Sequence, residues 1–224
     1  VEHQPTEQWA DRALLDNNPN TQVEPLLALC RTTGICPQHR TDQSPPVDES
    51  MGRKLINALL SVNTAKLQPA QQLTLIRTLQ IALVRFGRPD NAIVTKLNQK
   101  LDPLFPADTF EENWLLSETL AWLESPTVAA KTITLINNAA TQEEQLQYAR
   151  SLRMLRTGWN TELRTEYFNW FLKADSYRGG ASFDIFLKFI RDDAVASLDA
   201  DSKTSLATLL ATKPVRKSVI DNLG

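Results

Sequence analysis

The sequence holds few of the residue types from which enzyme sites are usually recognised: two histidines, two cysteines and seven glycines in 224 residues. His3 lies in a polar terminal stretch and His39 in a polar loop, and neither neighbours a serine or cysteine in a nucleophile context, so a hydrolase triad is not expected. The pair Gly179-Gly180 has no Lys-Ser/Thr behind it and follows no strand, which leaves out a phosphate-binding loop. In ICPQHR position 38 is Gln where a haem-attachment motif needs its second thiol, so covalent haem is excluded. No apolar run approaches the roughly 20 residues that cross a bilayer. The opening VEHQPTEQW is too polar for a signal peptide, and the chain is read as a mature form or an excised domain that does not insert in a membrane. Charge excess is lacking as well: 24 basic residues face 26 acidic ones, for a net −2, so nothing drives the chain as a whole toward nucleic acid.

The two cysteines fall together in CRTTGICPQH. Gly34 is placed as a helix C-cap, which puts Cys30 in the last helical turn and lets the chain fold back to bring Cys36 beside it. That arrangement permits a disulfide whose short loop is worth on the order of 2 kcal/mol. Two unrelated small core thiols are the alternative. A metal site with His39 as third ligand lacks the fourth ligand and the paired spacings of closed zinc sites.

What the chain does have is helical periodicity. From Pro69 to Gly87, residues Leu73, Ile76, Leu79, Ile81, Ala82, Leu83 and Phe86 form an apolar face wide enough to be covered on two sides, opened by Pro at a first helical position and closed by Gly. Thr109 with Glu112 and Thr141 with Glu144 fit the capping box, and Ser125-Pro126 is another start signal. These marks predict helices over 109–123, 126–138, 142–156, 161–175, 183–197 and 201–211, and no strand. One helix aligns Leu163, Tyr167, Trp170, Phe171 and Ala174 on one face; the next aligns Phe183, Phe186, Leu187, Ile190 and Ala194, and both stripes read as core.

Helix starts near 69, 109 and 142 alternate with starts near 90, 126 and 161, a loose interval of about 33 to 40 residues within the range of helical solenoids. The fold expected is therefore all-α, an α-solenoid of antiparallel helix pairs, with an irregular helical bundle as the alternative. It is taken as one domain over 1–224, with a polar loop at 37–49 (PQHRTDQSPPVDE) that carries three prolines.

The segments LIRTLQIALVRFGRPDNAIVTKLNQKLDPLFP, NWLLSETLAWLESPTVAAKTITLINNAATQEEQLQYARSLRMLRTGWNTELRTEYFNWFLKA and YRGGASFDIFLKFIRDDAVASL resemble the HEAT-like helical region of large exported bacterial proteins. In that family the region looks like a connector between a dehydrogenase-like β-propeller and a c-type cytochrome domain. The resemblance runs from about Leu73 to Leu198, and TQEEQ, GWNTELR, YFNWF and YRGGASF are its most specific words. It implies a HEAT-repeat scaffold or protein-interaction module, not an enzyme, exported to the periplasm or beyond, with neighbouring domains or other proteins as partners and no cofactor of its own. The haem motif and propeller-like strands of the full-length plan do not occur here, so redox activity is not carried over to this chain.

Candidate interaction residues are few. Arg150, Arg153 and Arg156 form a basic stripe, with Arg164 and Arg178 further on; it suits a carboxylate-bearing partner, or is a solvated helix face neutralised by Glu143, Glu144 and Glu162. Tyr177 and Arg178 sit in the loop DSYRGGASF, whose two glycines allow positive φ, and the loop reads either as a docking site or as a plain helix-to-helix turn. The competing function is a helical enzyme or cofactor-binding domain built on this 176–182 loop and the aromatics near Trp170. Adjacent acids at Glu111-Glu112, Glu143-Glu144 and Asp192-Asp193 diverge by about 100° on a helix and do not converge on one substrate atom.

Overall fold

Capping side chains set most of the helix starts. Asp48, Thr109, Thr141, Asn160 and Asp199 each accept a hydrogen bond from a backbone N–H two or three residues into the helix that follows. The glutamates of the two expected capping boxes act differently from expectation: Glu112 accepts the Thr109 hydroxyl at 3.1 Å, and Glu144 accepts the amide of Ala140, one residue before the cap, at 3.1 Å. A computed structural model of the chain describes residues 4–212, and among them every regular element is a helix. His3 lies outside the described residues. By its internal contacts the chain gathers into two compact units, Val1–Lys100 and Leu101–Gly224.

The first unit contains α1 (Ala10–Leu15), α2 (Val23–Thr33), α3 (Glu49–Ser61), α4 (Pro69–Phe86) and most of α5 (Asn91–Leu101). Its centre is α4, which packs on both α2 and α3. Gly52 makes the second contact close, since a Cβ there would come within 2.7 Å of the Phe86 side chain. Basic side chains close two helix ends whose carbonyls would otherwise be unsatisfied. Arg85 donates to the carbonyl of Arg31 at 2.9 Å and to that of Gly34, and Lys100 donates to the carbonyls of Leu60 and Val62. Gly34 is the C-cap of α2 as expected, although its backbone is extended and not left-handed. The polar stretch 37–49 is nearly all loop, with one 3₁₀ turn at Pro37–His39.

In the second unit lie α6 (Phe110–Trp122), α7 (Val128–Asn138), α8 (Gln142–Leu152), α9 (Thr161–Ala174), α10 (Phe183–Ala196), α11 (Ala200–Ser205) and α12 (Ala207–Ala211). α8 packs on both α6 and α7; α7 also touches α9, α10 lies against α8 and α9, and α12 returns onto α9. α6 and α8 run in the same direction, as Phe110 at the start of α6 meets the ring of Tyr148 and Ser117, further along, bonds Ser151 at 3.2 Å. Leu116, Leu120, Ile133, Ile136, Leu152 and Phe168 are buried between the helices.

Three helix expectations are corrected. The helix foreseen over 142–156 stops at Leu152, because Leu155 turns into the core and the chain must then pass Pro126. It does so at Gly158, where φ is +73° and a Cβ would sit 2.3 Å from the Pro126 carbonyl oxygen, so no other residue fits. The helix foreseen over 201–211 is two short ones hinged at buried Leu206. On α10, Leu187, Ile190 and Ala194 are buried as expected, but Phe186 is 39 % exposed, since α8 and α9 cover only one side of that helix.

Candidate functional site

The residues singled out from the sequence converge on α8 and the segment after α9. Arg150, near the end of α8, pairs with Glu118 of α6 at 3.2 Å, and Arg153 pairs with Asp193 of α10 at 3.1 Å while also donating to the Arg150 carbonyl at 2.9 Å. Arg150 and Arg153 are thus neutralised by acids of neighbouring helices, not by Glu143, Glu144 and Glu162. Exposed Arg156 lies in the loop beyond, where the Glu124 carboxylate accepts the amides of Arg156 and Thr157. Arg164 does not belong to that surface at all. It is buried, its guanidinium 5.1 Å from the centre of the Trp159 ring, and burial lowers its pKa against the opposing pull of Asp199.

The 176–182 loop is tied down by two glutamines. Gln145, itself buried, accepts the Trp170 indole N–H at 3.2 Å, the Lys173 ammonium at 3.3 Å and the Tyr177 hydroxyl on one oxygen, and donates to the Ala139 carbonyl at 3.1 Å. Gln142, one turn earlier, imitates a strand partner: its amide nitrogen donates to the Arg178 carbonyl at 2.6 Å and its oxygen accepts the Arg178 amide at 3.2 Å. Tyr177 is accordingly half-buried and engaged inward, while the Arg178 side chain stays exposed. Neither Gly179 nor Gly180 takes a positive φ; Gly179 is instead needed for closeness, as a Cβ there would lie 2.5 Å from the Phe183 ring. The two glutamines were within the word TQEEQ, at a spacing of one helical turn, but nothing in that word pointed to the loop they hold.

Aromatic packing underlies the same region. Tyr167 meets Phe168 and Phe171 edge to face and Trp159 at a tilt, and its hydroxyl donates to the Ala149 carbonyl at 2.6 Å. Trp170 meets Phe171 with ring centres 5.0 Å apart and Tyr177 at 6.3 Å. Burial pushes the Tyr167 phenol far up, and the phenol of Tyr148 up to about 12, with the Glu144 carboxylate adding to the effect.

Beside these aromatics an open groove of about 520 Å³ runs between α9, α10 and α12, floored by Phe171, Leu172, Leu187 and Leu210. A second hollow, of about 280 Å³, lies in the first unit among Glu49, Arg53, Phe86 and Asp90. Cys30 and Cys36 are free thiols, Cys30 fully buried and Cys36 partly exposed; burial pushes the Cys30 thiol up to about 11. They and His39 belong to no group of three potential metal ligands among the described residues. No described helix is long and apolar enough to cross a membrane. Comparison with protein-family models, with curated proteins and with solved structures finds no match for the chain.

Proposed function

We propose that the chain is a non-catalytic helical-repeat scaffold, a solenoid of HEAT-like pairs that connects redox domains within a larger exported protein or binds other proteins. The observation that carries this reading is a nearly constant offset between α6 with its following turn and α8 with its following turn. Glu118 bonds Arg150 across 32 residues, Ser117 bonds Ser151 across 34, and Glu124 bonds Arg156 and Thr157 across 32 and 33. Contacts at a nearly constant separation are what stacked copies of one supersecondary unit produce. The family resemblance supports the same architecture, and with it a place in the periplasm or otherwise outside the cytoplasm.

The competing reading, an enzyme or cofactor domain at the 176–182 loop, needs Trp170 and Tyr177 to turn polar atoms toward a ligand. Both give their donors to Gln145. The test is calorimetry on the purified chain with haem and common nucleotides on one side and the neighbouring domains of its parent polypeptide on the other. Heat with the domains and none with the small molecules is expected. Tight binding of a cofactor would install the enzyme reading, and neighbours that fail to bind would remove the connector.

A further inference from the structure

Five large apolar side chains of the second unit are exposed: Trp122 at 41 %, Met154 at 57 %, Ile185 at 56 %, Phe186 at 39 % and Phe189 at 60 %. Trp122 ends α6, Met154 lies in the turn after α8 and the other three are on α10, while α7, α8 and α9 contribute none. The ion pairs fix their arrangement. Glu118 and Arg150 meet at 3.2 Å; Trp122 lies one turn further along α6, and Met154 stands in the turn just beyond α8. Gln142 at the start of α8 bonds Arg178 shortly before α10, and Arg153 just beyond α8 meets Asp193 near the end of α10 at 3.1 Å, so α10 runs along α8 in the same direction, with Phe189 one turn before Asp193 and Phe186 about a turn before that. The result is a face on which exposed apolar side chains stand at the end of α6, just beyond α8 and along α10. Carboxylates dominate its polar part. Glu118, Asp192 and Asp193 are matched by Arg150, Lys188 and Arg153, leaving exposed Glu111 and Glu143 at the starts of α6 and α8 with no ion pair among the described residues.

We infer that this face docks an amphipathic helix of a partner protein, one with large apolar residues along one stripe and lysine or arginine beside it. The inference rests on the scaffold reading and adds which face is used and what it recognises. Three helices at 8–10 Å spacing present roughly 20 Å, the length of about 13 helical residues. The apolar stripe covers Met154, Phe189 and Phe186, and the cations meet Glu111 and Glu143. A lipid surface fits less well, because those carboxylates would be repelled by anionic headgroups.

The probe is a fluorescein-labelled helical peptide of about 14 residues, with leucine at i, i+3, i+4 and i+7 and lysine elsewhere, set against its glutamate counterpart in fluorescence anisotropy. The lysine peptide binds, at least tenfold more tightly than the glutamate one and less tightly as salt rises. Phe189→Ser weakens it at least tenfold, the Glu111→Lys/Glu143→Lys double variant weakens it independently of the apolar residues, and Asn169→Ser, on α9, leaves it unchanged. Equal binding of both peptides, or indifference to Phe189→Ser, overturns the proposal. So does dimerisation of the chain that Phe189→Ser abolishes, which would make a second copy the occupant, or sedimentation with phosphatidylglycerol vesicles. If the neighbouring domains bind Phe189→Ser as well as the unaltered chain, the scaffold reading stands and this face is not the one it uses.

Discussion

α9 and α10 are consecutive helices of 14 residues, each written with a stripe of aromatic and aliphatic side chains, yet α9 buries six of its residues and α10 three. α9 packs against α7, α10 and α12, and its Trp170 and Tyr167 reach bonds on α8; α10 packs chiefly on α8 and α9, with Arg191 donating to the Leu210 carbonyl of α12 at 2.7 Å. Each sequence stripe names side chains able to enter a core. Only the number of neighbours decides how many do. An apolar residue on the uncovered side of a helix therefore speaks of a partner, while the same residue between two helices speaks of stability.

The largest effect expected from this contrast is at Trp170, which is 5 % exposed and bonded through its indole to Gln145. Trp170→Ala should cost about 3–5 kcal/mol through lost packing and the cavity left behind, read as a lower midpoint in urea denaturation. An unchanged midpoint would erase the distinction between the two helices. Next is Tyr167→Phe, which keeps the ring among Trp159, Phe168 and Phe171 and deletes the O–H that donates to the Ala149 carbonyl at 2.6 Å. Leaving that buried acceptor short of a donor should cost about 1–3 kcal/mol. If the loss is negligible, the phenol is there for its ring only.

How far could these roles have been read from the sequence? Helix positions were legible where chemistry is local: Thr109 and Thr141 cap α6 and α8 at the expected places, and Pro69 opens α4. Roles that depend on partners were not. The acids facing Arg150 and Arg153 are 32 and 40 residues away, so the nearby glutamates were the natural but mistaken choice. Arg164 looks in sequence like any surface arginine, and only the fold lays it on Trp159 away from water. Gln145 carried no signal at all, because an uncharged amide that gathers three donors from residues 25 to 32 positions on is indistinguishable in sequence from a solvated one.

A smaller effect, graded by pH, follows from the buried phenols. Folding raises the Tyr148 phenol from 10.0 to about 12 and moves Tyr167 in the same direction, so the folded state favours the neutral ring. That stability is complete below pH 10.0 and is lost as pH rises through the folded value, over the window from 10.0 to about 12 for Tyr148. Cys30 of the first unit, raised by burial from 9.0 to about 11, follows the same rule from pH 9.0 upward, so urea midpoints should hold steady up to pH 9.0, decline with the thiol and fall further above 10.0 together with phenolate absorbance. A midpoint that declines below pH 9.0 would assign alkaline sensitivity to neither the thiol nor the phenols. Thiol reagent at neutral pH should accordingly label Cys36 in the native protein and reach Cys30 only on unfolding.

The smallest expected effect is at Phe189. A phenylalanine on α9 such as Phe171 is 3 % exposed, whereas Phe189 is 60 % exposed. Removing an exposed ring loses little packing, and serine on the open side of a helix adds only a modest propensity penalty, so Phe189→Ser should shift stability by no more than about 0.5 kcal/mol in either direction. Paired with Phe171→Ala, expected to lose about 3–5 kcal/mol, it isolates coverage from composition, since the two variants remove the same side chain from adjacent helices. A large loss at Phe189 would mean that this ring is covered in solution by the chain itself or by a second copy, and dependence of the midpoint on protein concentration would tell the two apart. A negligible loss together with higher solubility would mark the ring as kept for what it touches in a partner.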